Sequence, residues 1–257
     1  MMSNFIIRQA FAEAMDLHKR HQFDEAKQIY KKILSVDASE PNANHLISLI
    51  YTVQGDYKTA QEHIEKAIEK EPNQAIFHSN YGSLLQTMGK TKEAIRAYKK
   101  SIKIDKKCFQ SYYALGILYT DKKEFDNAVD SYMSAIEINN DSAEAHNNLA
   151  NLYNSLNDSK AEKHYQRTIE LVPDEIFPRL NMSNYFLKIK EYTKSIDILN
   201  ELVSMDKGSK EVYNNLGIAY KGLDDNVNAS NMFKKAIEID PEFLLAKNNL
   251  DGLDKEN

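Results

Sequence analysis

Tryptophan is missing from all 257 residues, cysteine occurs once, and there are only five prolines and eight glycines. A lone thiol, Cys108, rules out an internal disulfide and fits a reducing compartment. So few chain breakers exclude collagen-like and low-complexity chains and leave a helix-rich composition. No apolar run approaches the roughly 20 residues that span a bilayer, so no membrane partner is expected. The opening MMSNFIIRQAFAEAM has no basic segment followed by an apolar core, as a secretion signal would. The expected location is the cytoplasm. Net charge is −5, against the basic footprint of a nucleic-acid binder, and Lys and Arg are expected to be spread along the chain without blocks. Phosphate-cradling glycine loops, HExxH and G-x-S-x-G are all missing. The seven histidines are scattered, and the His18–His21 pair has no fitting third ligand nearby. The expectation is a non-enzymatic chain without cofactor or metal.

What is present is a period. Ala26, Ala60, Ala94, Ala128, Ala161, Ser195 and Ala229 stand 34, 34, 34, 33, 34 and 34 residues apart. A small residue returning at that interval marks stacked helix-turn-helix units, in which each repeat contacts only its neighbours. Counting that residue as position 20 gives repeats over about 7–40, 41–74, 75–108, 109–142, 143–175, 176–209 and 210–243, then a capping helix over 244–253. The turn segments QFDEA, GDYKTA, GKTKEA, EFDNA, NDSKA, EYTKS and DNVNA supply capping residues. The missing residue before Ala161 falls in such a turn, where a change of length costs least.

In this register the chain resembles the tetratricopeptide repeats. Repeat four carries Tyr112, Leu115, Gly116, Tyr119, Ala128, Tyr132 and Ala135, and repeat seven carries Tyr213, Leu216, Gly217, Tyr220, Ala229, Phe233, Ala236 and Pro241. Repeats one and six fit least well. The resemblance implies an all-α, right-handed superhelical solenoid of seven repeats that forms one array over 1–257. Small residues at positions 8 and 20 would let paired helices approach, while the aromatics at 11 and 24 fill the space between repeats. His78 and His146 take position 4, where a packing ring is expected. In the last helix, Phe243, Leu244, Ala246, Leu250 and Leu253 would cover the end of repeat seven.

The family's first helices line a concave groove, and here position 6 runs Ala12, Leu46, Asn80, Ala114, Asn148, Asn181, Asn215 and Asn249. Five asparagines in eight slots is well above what 24 in 257 residues would place there. Asn147 and Asn214 at position 5, Asn151 and Asn184 at position 9, and Tyr113 complete the candidate peptide-binding set. A carboxamide offers two donors and an acceptor, so a row of them suits the N–H and C=O groups of an extended peptide. The row resembles the asparagine ladder in the repeat domain of O-GlcNAc transferase. The front half of the groove, with Phe11, Met15, His45, Leu46, Leu49, Ile76 and Ile117, is more apolar than the rear.

The expected function is a protein-interaction scaffold that binds a protein or peptide segment in its groove. The alternative is the acceptor-recognition front of a bacterial glycosyltransferase, sulfotransferase or methyltransferase. Self-association by end-to-end stacking is a third arrangement open to such an array. The Lys and Asn pattern that clamps acidic chaperone tails is not met: position 5 reads Phe11, His45, Ser79, Tyr113, Asn147, Leu180 and Asn214.

Overall fold

A computed structural model describes residues 4–256, and all regular structure among them is helical. The helices fall into two compact units, Met1–Ile138 and Asn139–Asn257. The first contains α1 (Asn4–Lys19), α2 (Phe23–Val36), α3 (Pro41–Val53), α4 (Tyr57–Lys70), α5 (Ala75–Thr87), α6 (Thr91–Ile104), α7 (Phe109–Asp121) and α8 (Phe125–Ile138). The second contains α9 (Ala143–Ser155), α10 (Lys160–Leu171), α11 (Ile176–Lys188), α12 (Tyr192–Ser204), α13 (Lys210–Gly222), α14 (Asn226–Ile239) and α15 (Leu244–Glu256). Odd-numbered helices from α1 to α13 pair with the even-numbered helix that follows each, across a short turn.

Every hairpin turn uses the same stop signal. The seven residues His21, Gly55, Gly89, Lys123, Asn157, Lys190 and Asp224 all adopt φ between 58° and 79°. In each case the next amide bonds back across the turn, as in Glu124 N to Tyr119 O and Glu191 N to Phe186 O, both 2.9 Å. This six-to-one closure satisfies carbonyls that a helix end would otherwise orphan. Repeat five keeps the closure, from Asp158 N to Tyr153 O. Its one-residue deletion does not shorten the turn: residues 156–159 join α9 to α10 where 122–124 join α7 to α8, and α10 has 12 residues where α8 has 14.

The seam between paired helices is dry. All seven position-20 residues, from Ala26 to Ala229, are 0% exposed. Ser195, the polar exception, donates its hydroxyl to Ser183 O at 3.3 Å, so its oxygen is not stranded. The position-24 aromatics do more than expected. They fill space between repeats, as Tyr165 does against Tyr185 with centroids 6.1 Å apart, and they also pack within their own repeat, against position 8. A Cβ on Gly116 would come within 2.5 Å of the Tyr132 ring, and one on Gly217 within 2.4 Å of the Phe233 ring. The ring occupies the room that the glycine leaves.

Position 4 departs from the expected packing ring. Its polar side chains tie down the turn that precedes them. Asn44 Nδ2 donates to Ala38 O at 3.0 Å, His78 Nε2 pairs with Pro72 O at 2.8 Å, His146 Nε2 with Asn140 O at 3.3 Å, and Arg179 Nη1 donates to Pro173 O at 2.7 Å. All four reach the carbonyl six residues back. In α15, Ala246 and Leu253 are buried, and Leu250 packs with Phe233, but Leu244 stays 65% exposed. Lys and Arg are not evenly spread either. Residues 90–107 hold eight of them against Glu93 and Asp105, a net +6 in a chain of net −5.

Candidate functional site

The candidate asparagines sit on the first helices of their repeats, and the second unit brings several of them together. Asn181 Nδ2 on α11 donates to Asn147 Oδ1 on α9 at 2.9 Å. Asn215 Nδ2 on α13 donates to Asn184 Oδ1 on α11 at 2.8 Å. Asn249 Nδ2 on α15 donates to Asn214 Oδ1 on α13 at 2.9 Å. The first unit repeats the device with a different acceptor: Asn80 Nδ2 on α5 bonds His45 Nε2 on α3 at 2.6 Å. In each case a position-6 amide reaches back to position 5 or 9 of the preceding first helix. The bonding follows from helix geometry, which lays equivalent positions of stacked helices side by side.

Exposure divides the set. Asn184 and Asn151 at position 9 are exposed, and Asn80, Asn147, Asn148, Asn181 and Asn249 are half-buried. Asn214 and Asn215, by contrast, are only 5% and 9% exposed, so their amides serve chiefly their neighbours. Asn151 Oδ1 accepts from the Tyr165 hydroxyl at 2.7 Å. A carboxamide has two N–H donors and an oxygen with two lone pairs. Each inter-repeat bond uses one donor and one lone pair, so every pair keeps further capacity on both members.

In the first unit the expected apolar wall is partly core. Phe11 and Leu46 pack against the buried cluster around Ala14 and Ile47, while Ile76 remains 49% exposed. Tyr113 is half-buried and stacks on Phe109, with ring centroids 5.8 Å apart. His45, 7% exposed, is held neutral: burial, and then the charge of His18, pushes its pKa down to about 4. In the second unit Phe177 is 42% exposed and Leu180 packs into the cluster around Leu199 and Leu216.

Two polar clusters were not anticipated from the sequence. His146 Nδ1 and His164 Nδ1 lie 2.9 Å apart, both rings buried, so one must donate and the other accept. Cys108 is half-buried at the start of α7, with Sγ 3.3 Å from both Ser101 Oγ and Ser111 Oγ. Burial raises its pKa, but the hydroxyl contacts outweigh that and leave the thiol lowered. Among the described residues, no three His, Cys, Asp or Glu side chains converge as a metal site would need, and no helix is long and apolar enough to cross a membrane.

Comparison with known proteins fits this architecture. A family model described as TPR repeat matches residues 118–157, and one described as Tetratricopeptide repeat matches 210–243. A model for subunit 3 of the anaphase-promoting complex, or cyclosome, matches 19–101. None of these models is of a catalytic family. A TPR repeat-containing protein of Methanocaldococcus jannaschii is 27% identical over 181 residues, which is 68% of this chain and 31% of the relative. The chain therefore spans about a third of that relative's length. Among solved structures, the C-terminal part of a TPR repeat-containing protein from Cytophaga hutchinsonii superposes with a TM-score of 0.79 at 20% identity, covering 93% of this chain and 99% of that one. YrrB, a TPR protein with an unusual peptide-binding site, superposes with a TM-score of 0.64 at 24% identity, covering 72% of this chain and 96% of its own. Both likenesses concern the fold. With the seven equivalent turns and the dry position-20 seam, they show that this chain has the fold of a tetratricopeptide-repeat solenoid.

Proposed function

We propose that the chain is a protein-interaction scaffold whose second unit holds an extended peptide segment along the amide-bearing face of α9, α11 and α13. The observation that carries this reading is the row of paired carboxamides, Asn147–Asn181 and Asn184–Asn215, which advances by one first helix at each step. The pairing fixes each amide plane before a ligand arrives, so less side-chain entropy is lost on binding. Exposed Asn151 and Asn184 and the exposed ring of Phe177 supply contacts at the solvent edge. An unstructured backbone presents alternating donors and acceptors at about 3.3 Å per residue, which an amide row can meet whatever the ligand's side chains are. The peptide-binding site of YrrB, on the same fold, supports this use of such a surface.

A random-peptide display library selected against the protein would test the reading. The best binders should lose about tenfold or more in affinity when single backbone amides are N-methylated, and a photo-crosslinkable version should label α9, α11 and α13. Equal affinity for methylated and unmethylated peptides would sink backbone recognition. Labelling confined to other helices would move the site elsewhere.

A further inference from the structure

The second helix of each repeat also presents an outer face, at positions 18, 22, 25 and 29. In repeat three these are Lys92, Arg96, Lys99 and Lys103, all exposed along one side of α6. At the same positions of repeat four stand Asp126, Asp130, Met133 and Glu137, all exposed on α8. The offset is 34 residues throughout, so one stripe follows the other in the same direction and at the same height. Local neutralisation is slight, with Lys99 in the field of Glu124. Among the described residues the only ion pair that either makes is the long Arg96–Glu93 contact of 4.0 Å within α6. Lys99 Nζ lies over the Tyr119 ring, 5.7 Å from its centroid.

We propose that this face docks a second copy of the chain through a two-fold interface in which α6 of each copy lies parallel to α8 of the other. A two-fold axis that runs between the helices and along them makes the contact self-complementary. Laying one stripe over the other in the same direction sets Lys92 opposite Asp126, Arg96 opposite Asp130 and Lys103 opposite Glu137 of the second copy. Lys99 falls opposite Met133, whose thioether packs against the lysine stem. A cavity of about 410 Å³ beside α6, lined in part by Lys92, Arg96 and Tyr119, gives the opposing side chains room. Three of the four basic side chains then meet a carboxylate, and the two-fold repeats each match. A nucleic acid fits less well, because outside residues 90–107 the chain carries −11 and α8 sets carboxylates beside the basic stripe. Exposed ion pairs are individually weak and screened by salt, so the dimer is reversible and strongly dependent on ionic strength.

The test is a concentration series by sedimentation velocity at low and high salt, on the whole chain and two triple variants. One is Lys92→Glu, Arg96→Glu and Lys103→Glu; the other is Asp126→Lys, Asp130→Lys and Glu137→Lys. The unmodified chain should dimerise at low salt, with a dissociation constant at least about tenfold weaker in ~0.5 M salt. Each variant alone should stay monomeric with an unchanged helical circular dichroism spectrum, and mixing the two should restore a dimer. A chain that is monomeric at every concentration, variants that dimerise like the parent, or a mixture that stays monomeric would each overturn the proposal. So would retention of a duplex oligonucleotide by a monomeric chain. If the first variant fails to fold, the second variant's loss of dimer and the salt series still decide.

Discussion

Asn215 Nδ2 donates to Asn184 Oδ1 across 2.8 Å, joining a donor that is 9% exposed to an acceptor on an exposed side chain. The two ends of this bond are therefore not equivalent. Asn215→Ala leaves an oxygen that water can reach, and should cost ~0.5–1.5 kcal/mol. Asn184→Ala strands an amide donor in a nearly dry site, and should cost ~1–3 kcal/mol. Urea unfolding of the two single variants and the double variant would measure both, with a coupling that returns part of the larger loss. Equal costs would mean that water reaches Asn215 and that the bond does not order the face.

The glycine–aromatic seam gives a sharper expectation. Gly116→Ala drives a Cβ to 2.5 Å from the Tyr132 ring, and Gly217→Ala to 2.4 Å from that of Phe233. Both rings are at most 2% exposed and have nowhere to move. Overpacking of this kind costs ~1–3 kcal/mol, even though alanine favours helix by up to about 1 kcal/mol over glycine. Gly252→Ala is the control. It lies in α15 with nothing within 4 Å of the added atom, so it should stabilise the chain. Thermal melts that rank all three substitutions alike would remove steric contact as the explanation.

The contrast between Gly116 and Lys123 shows what could be seen in the residues alone. Helix pairing and the small-residue column were legible because one physical demand, close approach at position 20, recurs seven times and tolerates only Ala or Ser. The left-handed turn residue was legible at Gly55 and Gly89 but hidden at Lys123 and Lys190, whose side chains give no sign of positive φ. There the closure across the turn sets the backbone and overrides local preference. Position 4 was misjudged for a related reason. His78 and His146 match the expected packing ring, and only the folded structure shows the carbonyl each one holds. The asparagine row was visible as enrichment, but its pairing was not, since a bond 31 to 35 residues long leaves no local trace. The opposed stripes on α6 and α8 emerge only when the repeat register is laid over the exposure of each residue.

The histidine pair predicts how stability responds to acid. Burial, then the neighbouring His146, pushes the His164 pKa from 6.5 down to about 4, and burial also lowers His146. Lys163 faces both rings, and Arg167 and Asp141 face His146. The unfolded chain thus binds protons between about pH 6.5 and 4 that the folded chain refuses. Stability is fully present above pH 6.5 and falls as the pH drops through that window, by at most about 1.4 kcal/mol per pH unit for each proton. In His164→Gln the slope should flatten. His45, also held at about 4 by burial, leaves a residual slope in that variant. Urea titrations at several pH values would give the slopes directly, and a parent chain equally stable at pH 7 and pH 5 would contradict the neutral pair.

Arg179 tests the turn bridge at position 4. It is 8% exposed, donates Nη1 to Pro173 O at 2.7 Å, and pairs Nε with Glu201 Oε2 at 3.1 Å. The Glu201 side chain is 55% exposed, so its share of the pair is screened by water. Glu201→Gln keeps an acceptor near the guanidinium and should cost less than about 1 kcal/mol. Arg179→Met keeps the apolar stem but leaves Pro173 O without its donor, and should cost ~1–3 kcal/mol. Arg179→Lys can restore one bond but not both, because an ammonium cannot span the two acceptors as a planar fork does. The order Glu201→Gln, Arg179→Lys, Arg179→Met in rising cost, read from chemical denaturation, would establish that the residue acts on the turn carbonyl. If Glu201→Gln proves as damaging as Arg179→Met, the surface ion pair dominates and the bridge to Pro173 contributes little.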